Sequence, residues 1–167
     1  MNNIEKIVDI LESGQQPSRS ECSFFVNEVF SGGVDKDVIT KILRLFNNVG
    51  FDAPQLSGFA ESMRKVSKKV ICKRNIVDNC GTGGDAMHTF NISTTSSLIA
   101  SCCEVSVAKH GNKSITSNSG SADLLSGVGI KINLSPEAVS NCIEKLNFGF
   151  MFAPLHHSSM RYVAESR

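Results

Sequence analysis

The hydrophobic period of this 167-residue chain changes once, near Val70, and that change does most to limit what it can fold into. Before it, apolar residues recur at helical spacing. Ile4, Ile7, Val8 and Leu11 follow the i, i+3, i+4, i+7 pattern, and Gly14 offers a stop. Ser18 and Glu21 make an S-x-x-E capping box ahead of Phe24, Phe25, Val29 and Phe30, with Gly32-Gly33 closing that helix. Asp35 caps a third helix carrying Val38, Ile39, Ile42, Leu43 and Phe46. A fourth runs from Asp52 through Leu56, Phe59 and Met63 to Val66, with Pro54 in its first turn. These stripes are read as core or as dimer contacts rather than ligand sites. The cationic run at 64–69 is read as a solvated helix end.

After Val70 short apolar runs alternate with helical ones. Strands are expected over 75–80, 104–111, 130–134 and 148–154. Helices are expected over 93–102 and 121–127, from Ser135-Pro136-Glu137 onward, and from Ser158 onward. The expected fold class is therefore α/β. An N-terminal helical bundle lobe over residues 1–68 is followed, over 69–167, by the first part of a mostly parallel α/β domain. In such sheets ligands sit at the carboxyl ends of the strands. Both of the most polar loops in the chain fall at such ends.

The first loop lies in "DNCGTGGDAMHTFNIST", residues 78–94. Gly81, Gly83 and Gly84 let backbone amides approach an anion, and Ser93 or Thr94 can cap a helix whose N-terminus favours phosphate. A tight turn that needs glycine for packing alone is the competing reading. Residues 81–86 also satisfy G-x-G-x-x-A, the dinucleotide fingerprint, with Glu104 at a suitable distance. Asp85 would place a carboxylate inside the pyrophosphate turn, however, and Glu104 precedes its strand instead of following it. The dinucleotide site stays open as the weaker alternative.

The second loop, "KHGNKSITSNSGSAD" at 109–123, carries five hydroxyls in fifteen residues. Lys109 supplies a point charge for phosphate, and Gly111 and Gly120 permit close backbone approach. The hydroxyls of Ser114, Thr116, Ser117, Ser119 and Ser121 can donate to several oxygens at once. Two loops of this kind suggest a ligand with two phosphate groups, such as a sugar bearing a monophosphate and a diphosphate. His110 could be catalytic, although a loop-orienting hydrogen bond is the preferred reading. No G-x-x-x-x-G-K-[ST] signature is present, which argues against a P-loop nucleotidase.

Composition removes other classes. A formal net charge of +1 gives no basic field for nucleic acid. Charges at Glu5, Lys6, Asp9 and Glu12 interrupt any signal-peptide core, and no run approaches the ~20 apolar residues that span a bilayer. Six cysteines without a C-x-x-C pair argue against zinc and disulfides, and fit a reducing, cytoplasmic setting.

The blocks "GTGGD", "TFNIST", "VAKHGN", "SGSAD", "FAP" and "HHSSMRYVAESR" occur in that order over 78–167. Jointly they resemble the anthranilate phosphoribosyltransferase family of the tryptophan pathway, within the wider nucleoside phosphorylase-like group. Pyrimidine nucleoside phosphorylases share the "KHG" segment, but "TFNIST" fits the transferases better. The resemblance implies that phosphoribosyl pyrophosphate is bound by Gly81, Gly84, Asp85, Thr89, Asn91, Ile92, Ser93 and Thr94. It implies the same for Lys109, His110, Gly111, Asn112, Lys113, Ser114, Ile115, Thr116, Ser117 and Ser121. Ser93 would also ligate Mg2+, and Gly81, Asn112 and Arg167 would contact anthranilate, Arg167 by pairing with its carboxylate. No single catalytic residue is implied. The implied partners are these two substrates and a second copy of the chain, joined through the helical lobe.

Several positions depart from the family pattern. Ala86 stands where glycine is usual, Lys113 where arginine is, Asn118 where lysine is, and Ser126 where glutamate is, while Ser158 and Glu165 replace prolines. Lysine at 113 loses the bidentate fork of arginine, which weakens phosphate binding. Family members are also much longer, and the rest of such a chain holds an Asp-Glu pair for magnesium and further strands. A truncated form, fragment or split product is therefore expected, with an exposed sheet edge and doubtful activity alone. A nucleoside phosphorylase-like enzyme and a non-catalytic, ligand- or partner-binding remnant are the alternatives.

Overall fold

The structure is a computed structural model and describes residues 2–81, 90–114 and 120–166. The chain forms two compact units, one from residues 2–67 with 157–166 and the other from Lys68–His156. The C-terminal segment thus groups with the helices, whereas the sequence alone assigned 69–167 to one domain.

The first unit contains α1 (Asn3–Glu12), α2 (Arg19–Ser31), α3 (Lys36–Val49) and α4 (Ala53–Val66). Their starts are set by local chemistry. Ser18 and Glu21 form the reciprocal capping box of α2, with the Ser18 amide donating to Glu21 Oε2 at 2.8 Å. Asp35 Oδ1 accepts from the Asp37 amide at 2.8 Å at the head of α3. Inward-facing Ile7, Leu11, Cys22, Phe25, Val26, Val29, Ile39, Ile42 and Phe46 make the core, and Phe59 meets Phe46 edge-on at 5.2 Å. Helix α4 can lie close on α2 because residue 58 is glycine; a Cβ there would sit 2.4 Å from the Arg19 carbonyl oxygen. The segment after His157 is a 3₁₀ turn, Ser158–Tyr162, rather than the α-helix expected from Ser158 onward. Its backbone bonds run i to i−3, as from the Met160 amide to the His157 carbonyl.

In the second unit, α5 (Ile92–Cys102), β1 (Val107–Gly111), α6 (Ser121–Gly127), α7 (Pro136–Leu146), β2 (Phe148–Phe152) and α8 (Ala153–His156) follow in order. Strands β1 and β2 pair in parallel, with Val107 opposite Phe148 and Gly111 opposite Phe152. Alternation along the pleat gives the sheet two faces. Ala108 packs with Val139 and Ile143 of α7. Phe150, the partner of Lys109, packs on the opposite face with Ala122 and Leu125 of α6.

Two expected strands are not formed. Within 75–80 only Val77 pairs, as an isolated parallel bridge to Val107. Immediately beyond it the Asp78 carboxylate accepts from the Cys80 amide at 3.0 Å, an Asx-type turn that ends any ladder. Residues 130–134 alternate like a strand, but the Leu134 amide closes a tight turn onto the Ile132 carbonyl at 3.1 Å; Ile132 is buried and Leu134 packs, partly buried, beside Val139 and Ile143. Among the described residues no helix is long and apolar enough to cross a membrane. The six cysteines are free thiols.

Candidate functional site

Helix α5 starts two or three residues earlier than a Ser93 or Thr94 cap would place it. Asn91 is the N-cap, its Oδ1 accepting from the Thr94 amide at 3.1 Å, so Ser93 and Thr94 lie inside the first turn. That turn holds backbone amides without intrahelical acceptors, the feature that draws anions to helix N-termini. Thr94 Oγ1 is fully buried there and has no hydrogen-bond partner among the described residues.

Lys109 reaches this turn from β1. Its side chain is buried, at 1% exposure, and forms no ion pair among the described residues. Its Nζ donates to Asn79 Oδ1 at 2.9 Å and approaches Ser93 Oγ at 3.4 Å. Burial pulls the ammonium below the usual lysine range, with the nearby Asp78 charge opposing that shift. Asn79 in turn donates from Nδ2 to the Ser93 carbonyl at 2.9 Å and to Ser96 Oγ at 3.0 Å, and accepts from Ser97 Oγ at 2.7 Å. One amide side chain therefore joins the segment after Val77, the first turn of α5 and the buried cation on β1.

Asp78 braces the same corner, its Oδ1 accepting from the amides of Cys80 at 3.0 Å and His110 at 3.4 Å. The Cys80 thiol is pushed up by burial and then by the Asp78 charge, so it is not a thiolate nucleophile at neutral pH. At Gly81 a Cβ would meet nothing within 4 Å, so packing does not require glycine there.

Beyond β1 the polar loop is held at both ends by one carboxylate. Asp123 Oδ2 accepts from the Ser114 amide at 2.8 Å and the Gly120 amide at 3.0 Å. These two backbone donors hold its pKa below the ordinary value. Gly120 is needed for this closure, because a Cβ would lie 2.4 Å from the Ser114 nitrogen. Gly111 is equally constrained, since a Cβ would fall 2.0 Å from Ser121 Oγ. Ser121 Oγ donates to the Asn112 carbonyl at 3.3 Å. Asn112 and Lys113 are exposed at the strand end.

The structure therefore brings together Asn91, Ser93, Thr94 and Lys109 in one cluster, and Gly111, Asn112, Ser114 and Ser121 in an adjoining loop. Ile92 is half exposed on the outer side of α5. His110 contributes its backbone to the corner. Gly84, Asp85, Thr89, Ile115, Thr116, Ser117 and Arg167 lie outside the described residues. Sequence reasoning missed Asn79 and Asp123; each is a polar residue at a strand or helix end, and only long-range contact reveals its part.

For magnesium, the described residues offer the neutral hydroxyl of Ser93, with a lysine ammonium 3.4 Å away. Among them no group of three His, Cys, Asp or Glu side chains converges. Such a donor set fits magnesium only as a complex with the ligand's own phosphate oxygens. A concavity of about 450 Å³ lies on the helical unit, lined by Ser18, Arg19, Ser20, Ser23 and Glu61. Its charges are already paired, Arg19 with Glu61 at 3.0 Å.

A family profile described as "Glycosyl transferase family, a/b domain" matches residues 73–167. Anthranilate phosphoribosyltransferase of Desulfatibacillum aliphaticivorans is 40% identical over 165 residues, which cover 98% of this chain and 48% of that protein. The crystal structure of anthranilate phosphoribosyltransferase from Thermus thermophilus matches with a TM-score of 0.89 at 33% identity, covering 100% of this chain and 50% of that one. The Saccharomyces cerevisiae enzyme, in complex with phosphoribosyl pyrophosphate and Mg, matches with a TM-score of 0.88 at 25% identity, covering 98% and 50%. The chain spans about half the length of the relatives it matches.

Proposed function

Because the chain belongs to the glycosyl transferase family through its a/b domain, we propose that it is the phosphoribosyl pyrophosphate-holding part of an anthranilate phosphoribosyltransferase. The observation that carries this reading is the cluster of Lys109, Asn79 and Ser93 at the first turn of α5. A buried cation in no ion pair among the described residues, set at the N-terminal turn of a helix, suits a multiply charged anion. The similarity to an enzyme in complex with phosphoribosyl pyrophosphate and Mg supports the choice of that anion.

In this reading the amides of α5 and the Ser93 hydroxyl face the diphosphate, while Asn112, Lys113, Ser114 and Ser121 hold the phosphoribosyl oxygens. The anthranilate nitrogen forms a bond to the ribose anomeric carbon, the bond from that carbon to the diphosphate oxygen breaks, and the amine gives up one proton. Bound magnesium would supply charge neutralisation on the departing diphosphate. The chain's own residues contribute position and electrostatic complementarity, the two effects that dominate transfers of this type. Asn112, exposed at the strand end, would meet the acceptor. A homodimer through the helical unit and a cytoplasmic location complete the proposal. The first is supported by apolar Phe51, Leu56 and Val66, each nearly half exposed, and the second by the six free thiols.

The test is loss of anthranilate fluorescence with phosphoribosyl pyrophosphate and magnesium, on protein of verified intact mass. Turnover that falls at least tenfold (roughly one to two lost hydrogen bonds) in Asn112→Ala supports the transferase. Binding of phosphoribosyl pyrophosphate without turnover identifies the chain as the holding half alone. Loss of both overturns the reading.

A further inference from the structure

We infer that Asn79 is a positioning residue, holding the Lys109 ammonium against the first turn of α5 without cancelling its charge. This rests on the proposal that the turn receives a diphosphate.

The amide orientation follows from its neighbours. An ammonium only donates and a carbonyl only accepts. Asn79 must therefore turn Oδ1 to Lys109 Nζ, at 2.9 Å, and Nδ2 to the Ser93 carbonyl, at 2.9 Å. The opposite flip would set donor against donor and acceptor against acceptor. Ser96 and Ser97 fill the two remaining directions at 3.0 and 2.7 Å. Four hydrogen bonds thus tie one side chain to two elements distant from it in sequence, α5 and β1.

The chemistry of the residue type matters as much as its geometry. A carboxylate at this position would also accept from Lys109, and Coulomb attraction would make that contact stronger. It would, however, spend the positive charge internally and add a second negative charge, beside that of Asp78, at the mouth of an anion site. It would also lose the donor to the Ser93 carbonyl. Only a neutral side chain with both an acceptor and a donor can hold the ammonium, anchor the helix turn and leave the charge for a ligand.

The experiment is a double-mutant cycle between residues 79 and 109, read by calorimetric titration with inorganic pyrophosphate and with phosphoribosyl pyrophosphate. Asn79→Ala is expected to weaken binding by roughly tenfold or more, the value of a lost hydrogen bond to a charged group. Asn79→Asp is expected to weaken it at least as much although its contact with Lys109 survives. In a Lys109→Met background both substitutions should lose most of their effect, since the group they act through is gone. Additive losses in that background would overturn the proposal. So would an Asn79→Asp variant that binds as tightly as the unmodified chain.

A second arm needs no ligand. Amine labelling with acetic anhydride, followed by peptide mass spectrometry, should leave Lys109 protected in the unmodified chain and open in Asn79→Ala. Unchanged protection in that variant would equally overturn the inference. If the unmodified chain binds neither anion, the diphosphate reading fails on its own, and labelling still decides what Asn79 does.

Discussion

Lys109 sets a buried cation against the stability of the fold. Its ammonium has been taken from water and has only neutral acceptors, Asn79 and Ser93, within hydrogen-bond reach among the described residues. Burial of such a charge costs several kcal/mol unless it is compensated. Lys109→Met, which keeps the length and removes the charge, is therefore expected to leave the thermal midpoint unchanged or raise it. The same substitution should reduce affinity for phosphoribosyl pyrophosphate by roughly tenfold or more. Thermal melting and calorimetry on one preparation check both signs. A variant that is less stable and still binds would show Lys109 to be structural. The sequence marked Lys109 as a phosphate contact by its residue type and its glycine neighbour. It could not show the burial, because burial depends on where α5 and residue 79 come to rest.

At the scale of elements, the capping box of α2 makes a prediction in pH. Glu21 is held down to about 2 from the ordinary 4.5, first by its hydrogen bond to Lys6 and then by the Ser18 amide. A carboxylate with a depressed folded-state pKa adds stability above its unfolded value and loses that stability as the folded value is approached from above. The contribution should be complete above pH 4.5 and fade toward pH 2. With the side chain still 24% open to water, screening limits it to about 1 kcal/mol. Glu21→Gln should flatten that part of the midpoint-against-pH curve; an unaltered slope would place the acid sensitivity elsewhere. This box was legible in the sequence, as were the Asp35 cap and the Ser135-Pro136-Glu137 helix start, because each is a bond between residues two or three apart. Strands β1 and β2 were legible as apolar runs. The runs at 75–80 and 130–134 looked equally strand-like, but a strand exists only through its neighbour. No local pattern says that Asp78 will bend the chain or that Leu134 will turn back on Ile132. Asn79 was hidden for the same reason, since its partners lie 14 to 30 residues away.

At the scale of the molecule, the second unit shows much apolar surface. Ile71 is 83% exposed, Phe90 71% and Ile99 61%. Ile92 and Ile99, one heptad apart, share an outward face of α5 with Ser96. Side chains this exposed add little to the stability of the chain alone, and favour association. Ile99→Lys is expected to change stability by no more than about 0.5 kcal/mol, read from the thermal midpoint. It should lower binding of a hydrophobic dye and reduce concentration-dependent association in light scattering. A large loss of stability would mean that Ile99 is packed in solution.

The division of the chain constrains how it can be made. Lys68–His156 interrupts the sequence of the first unit, and its two ends meet, the Lys68 amide donating to the His156 carbonyl at 2.9 Å. A ribosome therefore releases the four helices early. It withholds the segment that joins them, with the Lys36–Glu165 ion pair and Tyr162 beside Gly32, until all of Lys68–His156 has been made. Every residue of Lys68–His156 is made before the segment 157–166 that packs with the helices. Because the ends of Lys68–His156 adjoin, the four helices can form early and still receive residues 157–166 after a long intervening stretch of chain.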